Sequence, residues 1–387
     1  MGKYLSTLTG LVENNHLYTV DIDTWEFLDW DLNTETCSIL AELMPKEYKL
    51  CWIQKIIKYK NSFFFLQRNT KQIIEFNSIT KEITRYGTEY SIYADDNLCY
   101  CDALIVDEQL MMLPSHFSGE VSIFDLKRKE YVSTYRLDNM ICSGSEPVFD
   151  GRILTYYKTS GTTWFCLEKT NKIFCVDFLN LTSKVYSLDE QAFLDRIWGN
   201  EANIFCADLE KAIFYTYDKR NDSFIKITPN NVGRNDVCRF LYVTSQKRNY
   251  VVFTDKEDKL GVIKIGGVES FSIELPDDIN AIFEMRNTFQ KFSRNYILIN
   301  NHFYALPFSG DSLIDVDLRN FDIKVHHLQV NGRDAIHSLQ GKASAREYYD
   351  YGVKDLLDTI EFTRENECSE DSNNGERIYI RTKESLN

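Results

Sequence analysis

The 387-residue chain lacks any apolar run longer than a strand. Stretches such as Ser62-Phe63-Phe64-Phe65-Leu66 stop far short of the ~18–20 residues that cross a bilayer, so no membrane span is expected. Residues 1–20 hold one early lysine, no apolar core and no small-residue cleavage site, which gives no sign of a secretory leader. Basic residues are also short: Lys+Arg 44 against Asp+Glu 58 leaves a net charge of −14. Such a balance repels phosphate backbones and anionic lipid, so neither nucleic acid nor a membrane surface is an expected partner. There is no P-loop, no GxGxxG opening a helix, no GxSxG elbow and no HExxH, which removes the local signatures of nucleotide, serine-hydrolase and zinc-hydrolase chemistry.

Cysteine is present but unpatterned. The ten cysteines fall mostly in apolar strand-like runs (Cys166, Cys175, Cys206, Cys238), as free thiols acting as small hydrophobes do. The one close pair, Cys99 and Cys101, has no second pair or patterned histidine to complete a zinc site. No metal and no cofactor are expected, and the thiols point to a reducing cytoplasm. Alanine is scarce, at twelve, beside abundant Ile, Lys, Asn, Tyr and Phe, the usage of an AT-rich and expectedly bacterial genome. Met1-Gly2-Lys3-Tyr4-Leu5-Ser6 fits the loose pattern for glycine acylation. One acyl chain binds membrane only marginally, and no basic patch reinforces it.

What the chain does have is a globular composition, with 43% hydrophobic and 26% charged residues, and a repeat. A short apolar strand ends in an Asx residue, polar turn residues follow, and a second aromatic and β-branched strand comes after. The unit starts at Tyr18, Ile73, Val121, Ile173, Ile213, Val262 and Leu313. Its turn residues align as Asp21, Asn77, Asp125, Asp177, Asp218, Gly266 and Asp317, at intervals of 56, 48, 52, 41, 48 and 51. Asp and Asn suit a hairpin because their side chains bond backbone two residues on and tolerate left-handed φ. Further strands precede each unit, such as SFFFLQ from Ser62 and QLMMLP from Gln109, so each cycle is a meander of three or four strands. Such a meander buries its faces only by stacking on its neighbours, which 25 Phe, 23 Tyr and 5 Trp suit.

This cadence resembles that of the β-propeller repeat proteins over residues 11–330. The Trp-Asp ending of WD-repeat blades occurs once, at Trp30-Asp31, and paired glycines of kelch type once, at Gly266-Gly267. The strand-Asp-turn-strand pattern looks more like the degenerate bacterial YncE-like and quinoprotein-like propellers. The resemblance implies an all-β β-propeller, preferably of seven blades with six or eight as alternatives, and carries over no catalytic or ligand residue.

The propeller is expected to occupy residues 1–340, and 341–387 to hold an amphipathic helix, an acidic loop and a short strand. Little room lies before Tyr18, so the first blade is expected to own only its last two strands, with Arg377–Arg381 completing it. Ser344 and Glu347 form a capping box, and Tyr349, Val353, Leu356 and Ile360 follow helical spacing. Loop position adds Tyr90, Tyr93, Asp95, Asp96, Trp198 and Asp278 as contact residues. Tyr157-Lys158-Thr159-Ser160-Gly161-Thr162-Thr163-Trp164, which ends like a sialidase Asp box without its Asp, reads as a hairpin turn ahead of a strand. Two functions follow: a cytoplasmic protein-interaction or scaffold module using a propeller face or the helix to bind a protein partner, and a carbohydrate-active or other hydrolase or lyase at the channel mouth. The second predicts a polar channel site with a carboxylate of raised pKa and leaves a glycan as a ligand.

Overall fold

The computed structural model describes residues 7–22, 24–44, 53–67, 72–87, 100–117, 119–137, 151–159, 161–167, 170–188, 192–194, 196–199, 204–208, 213–227, 240–246, 249–254, 259–264, 270–274, 292–307 and 312–328. These residues form seven antiparallel sheets, one for each repeat. The first holds Gly10–Glu13, His16–Val20, Glu26–Asp31 and Thr36–Glu42; the second Ile53–Tyr59, Ser62–Gln67, Ile73–Asn77 and Ile83–Tyr86. The third holds Tyr100–Val106, Gln109–Pro114, Glu120–Asp125 and Glu130–Arg136. The fourth holds Gly151–Lys158, Thr162–Leu167, Lys172–Asp177 and Thr182–Ser187, with His116–Phe117 added beside its first strand. The fifth holds Arg196–Gly199, Ile204–Asp208, Ile213–Asp218 and Ser223–Ile227. The sixth holds Phe240–Gln246, Asn249–Thr254, Lys259–Lys264 and Ser270–Glu274, and the seventh Phe292–Ile299, His302–Pro307, Ser312–Asp317 and Asp322–His327. The 344–363 helix with Tyr349, Val353, Leu356 and Ile360, and the 377–381 strand, lie outside the described residues.

Where side chains are described, burial is graded from the inner strands of a sheet to its last. Second strands such as Ser62–Gln67 are buried at every residue, which is why they read as continuous apolar runs instead of alternating ones. Fourth strands such as Glu130–Arg136 are largely exposed and polar. The chain divides into two compact units, one made of residues 1–49 and 275–387 and the other of 50–274. In the first unit, Val12, Leu17, Leu28 and Trp30 of the first sheet share a core with Tyr304, Leu306 and Leu313 of the seventh. Thr7 joins the two, donating its N–H and its hydroxyl to the Pro307 carbonyl at 3.1 and 2.9 Å. In the second unit, Phe64, Leu66 and Ile73 of the second sheet pack on Leu110, Met112 and Phe124 of the third. Phe117, Phe165 and Phe174 fill the layer between the third and fourth sheets, and Trp164, Ile173, Ile197 and Cys206 that between the fourth and fifth.

The turn aspartates work as expected, with one correction of phase. Asp125 Oδ1 accepts the N–H groups of Lys127 and Arg128 at 2.8 Å each; Asn77 does the same for Ile79 and Thr80, and Asp177 for Leu179 and Asn180. The residue four after the Asx has positive φ throughout: Lys81, Lys129, Leu181, Asp222 and Phe321. In the first sheet this role belongs to Asp31, whose Oδ1 takes the N–H groups of Asn33 and Thr34, with Glu35 at φ 60°. Asp21 instead closes the loop between the second and third strands. With Asp31 in register the first interval becomes 46 residues, not 56. The first sheet therefore has four strands of its own, not the last two alone, because Gly10–Glu13 pairs with His16–Val20 through a tight turn at Asn14-Asn15. A Cβ on Gly10 would meet Leu17 Cδ1 at 2.9 Å and Ile297 Cδ1 at 3.1 Å, so glycine admits this strand beside its neighbours.

Candidate functional site

Within the second unit, first strands of successive sheets lie side by side: the second beside the third, the fourth beside the fifth, the fifth beside the sixth. Several of these strands carry a register shift near their start. One extra residue interrupts the pairing between Ile53 and Lys55, around Cys101, and between Ile153 and Tyr156. A bulge of this kind re-aims the side chains that follow it. The next residues in the three strands are Lys55, Asp102 and Tyr156, and they converge on one point.

Asp102 is fully buried. Its Oδ1 lies 3.0 Å from Lys55 Nζ and 3.7 Å from Lys158 Nζ, while its Oδ2 accepts the Thr163 hydroxyl at 3.2 Å. Lys55 also donates to the Tyr156 hydroxyl at 3.1 Å, and Lys158 donates to the Ala103 carbonyl. Both lysine side chains keep about a quarter of their surface, 23% and 26%, whereas the carboxylate side chain keeps none.

The charges are unequal in state. Burial pushes the Asp102 carboxyl up, but Lys55 and Lys158 outweigh it and hold the group below the ordinary carboxylate value. Burial also lowers Lys55, and there Asp102 and Tyr156 more than reverse it. For Lys158, burial wins: with Asp102 only partly opposing and Lys55 adding repulsion, its pKa falls to about 8. Burial raises Tyr156 to about 12 against the opposing Lys55 charge, and burial lifts the adjacent Cys101 thiol as well. The carboxylate is thus kept ionised.

The contact residues expected from loop position fare differently. Trp198 is no loop contact: it lies in the strand Arg196–Gly199, 1% exposed, stacked on Phe205 with ring centroids 5.8 Å apart. Tyr90, Tyr93, Asp95, Asp96 and Asp278 lie outside the described residues. In the Tyr157–Trp164 run, Thr159 donates its N–H to the Thr162 carbonyl at 2.9 Å, between the strands Gly151–Lys158 and Thr162–Leu167. Sequence reasoning missed Lys55 and Asp102 altogether, and met Lys158 only as a member of the Tyr157–Trp164 run, without a site role. Their one local signal is a charged residue set among apolar neighbours, as in Tyr100-Cys101-Asp102-Ala103-Leu104.

No protein-family model matches the chain, and no curated protein matches it significantly. Solved structures do. The complex of KlAtg21 with the coiled-coil of AgAtg16 aligns at 9% identity over 85% of this chain and 100% of that one, with a TM-score of 0.54. YCF48 bound to D1 peptide aligns at 7% identity over 85% and 92%, with a TM-score of 0.53. The dihydro-heme d1 dehydrogenase NirN aligns at 10% identity over 81% and 64%, with a TM-score of 0.50. At such identities the likeness speaks to fold alone. Together with the sheet-by-sheet meander, it makes this chain an all-β protein of β-propeller fold.

Proposed function

We propose that the protein is an interaction module that binds a polypeptide partner, with the Lys55–Asp102–Lys158 cluster as part of its contact surface. The observation that carries this reading is the state of the cluster: two partly exposed lysine side chains around one ionised, fully buried carboxylate. Such an arrangement can hold a partner group, but it offers no protonated acid for cleaving a glycosidic bond. Two structures of like fold were solved with polypeptides, a D1 peptide and a coiled-coil, which supports a protein partner over a small substrate.

The test is recovery from source lysate with the full chain as bait, followed by size-exclusion chromatography and mass spectrometry, beside a thermal-shift screen of glycans and metabolites. One protein co-eluting stoichiometrically, with no glycan shifting the melting temperature, is the expected result. A glycan that stabilises the chain at millimolar concentration, with no protein recovered, would overturn the reading in favour of a carbohydrate-active site.

A further inference from the structure

We infer that Lys55 and Lys158 form a receptor for one carboxylate group, supplied by an acidic polypeptide segment. The inference rests on the interaction reading for the source of that carboxylate, but not for the chemistry of the site. Both ammonium groups approach the same oxygen, Asp102 Oδ1, while Thr163 fixes the other. One lysine would suffice to neutralise one aspartate; the second leaves the cluster with a formal charge of +1. Lys55 donates a hydrogen bond to Tyr156 and Lys158 to the Ala103 carbonyl, and both meet Asp102 as ion pairs, so these contacts do not exhaust the three donors of either ammonium. A carboxylate presents two oxygens to two such donors and brings the local charge to zero. A phosphate dianion would bring it to −1 beside a fully buried aspartate, and is disfavoured by the Coulomb energy of that contact.

The site also senses protons. The titratable groups that act on Lys158 among the described residues are Asp102 and Lys55, and Tyr156 and Cys101 act in turn on that pair. Asp102 stays ionised, and the raised tyrosine and thiol stay neutral, as pH moves from 7 to 9. Only Lys158, at about 8, changes charge in that interval. Binding therefore draws on protonated Lys158 and weakens up to about tenfold per unit above pH 8.

The experiment is calorimetric titration of the full chain with a hexaglutamate peptide, succinate and inorganic phosphate at pH 6.5 and 9.5. Lys158→Met is the test variant and Lys226→Met, an exposed lysine of the fifth sheet, the control. In Lys158→Met the Asp102 carboxylate keeps Lys55 as its partner, and circular dichroism checks the fold. Expected are binding of the glutamate peptide at pH 6.5, at least tenfold weakening at pH 9.5, a similar loss in Lys158→Met and none in Lys226→Met. In a further titration at pH 7.5, where its dianion prevails and Lys158 is still largely protonated, phosphate binding at least tenfold weaker than the carboxylate probes completes the pattern. Succinate binding as tightly as the peptide would overturn the polypeptide source. Affinity indifferent to pH or to Lys158→Met, a preference for phosphate, or no binding at millimolar probe would overturn the receptor. The two readings fail separately: a lysate partner held equally by wild type and Lys158→Met removes the receptor and keeps the module, while pH-dependent peptide binding without a cellular partner does the reverse.

Discussion

At the scale of single residues, the Asp102 cluster makes two stability predictions. Asp102→Ala removes the only described carboxylate beside Lys55 and leaves an ammonium charge among buried groups. That is expected to cost about 3–5 kcal/mol, read by urea denaturation at pH 7. Lys158 gives a pH signature of opposite sign to a surface ion pair. Its folded pKa of about 8 lies below the ordinary lysine value of about 10.4, so between these limits the unfolded chain binds more protons. Stability contributed by this group rises with pH through that window, by up to about 1.4 kcal/mol per unit, and is flat below pH 8. Tyr156 acts the other way only above pH 10, because its folded pKa is raised. Urea midpoints of wild type and Lys158→Met at pH 7, 8.5 and 10 check the prediction; parallel curves would refute it.

At the scale of elements, the hairpin loop is the unit that sequence reveals and also the one that misleads. Five of the six described Asx loops were visible as Asx at regular spacing, because the side-chain bonds to the two following N–H groups require that residue type. The sixth was misphased for a physical reason. Asp21 and Asp31 share one backbone feature, a left-handed residue four positions on: Trp25 has φ 62° and Glu35 φ 60°, and Trp25 donates its N–H to the Asp21 carbonyl at 2.8 Å, as Lys129 does to Asp125. Nothing local in the sequence separates the two. The Asp102 cluster was illegible because its members come from three strands and meet through bulges, a feature of pairing and not of composition. Trp198 was misjudged as a loop residue because its strand is only four residues long.

Asp177→Ala is expected to cost about 1 kcal/mol, as loss of a helix cap does, whereas Asp177→Asn is expected to be near neutral, since Asn77 performs the same task. Thermal melts of the two variants separate the cases. The same loops set the acid limb of the stability curve. Arg319 and backbone N–H bonds draw Asp317 down to about 2, and backbone bonds lower Asp31 and Asp218. Their contribution is present above the unfolded aspartate value of about 3.9 and is lost as pH falls through the lowered folded values.

At the scale of the molecule, the first unit joins the two ends of the described chain. Thr7 meets Pro307, and Trp30, fully buried, shares a core with Tyr304, Leu306 and Leu313. A chain ending at residue 290 loses the seventh sheet and uncovers Leu17, Leu28 and Trp30 together. It is expected to bind a hydrophobic dye and to aggregate, by dye fluorescence and light scattering; a monodisperse product would show that the first sheet does not need the seventh.

The repeated loop has one more consequence. Its shape is set by a single side-chain oxygen, two backbone N–H groups and one left-handed residue, so the intervening tip residues are free to be anything: Ile79 and Leu179 stand 69% and 61% exposed there, where other copies carry Lys127-Arg128 or Arg319-Asn320. Strand interiors ask only for apolar bulk of the right size. Evolution can therefore rewrite almost every position of such a protein while its shape persists. That is how a chain comes to share its fold with structures at 7–10% identity and yet leave no trace that a family profile can follow.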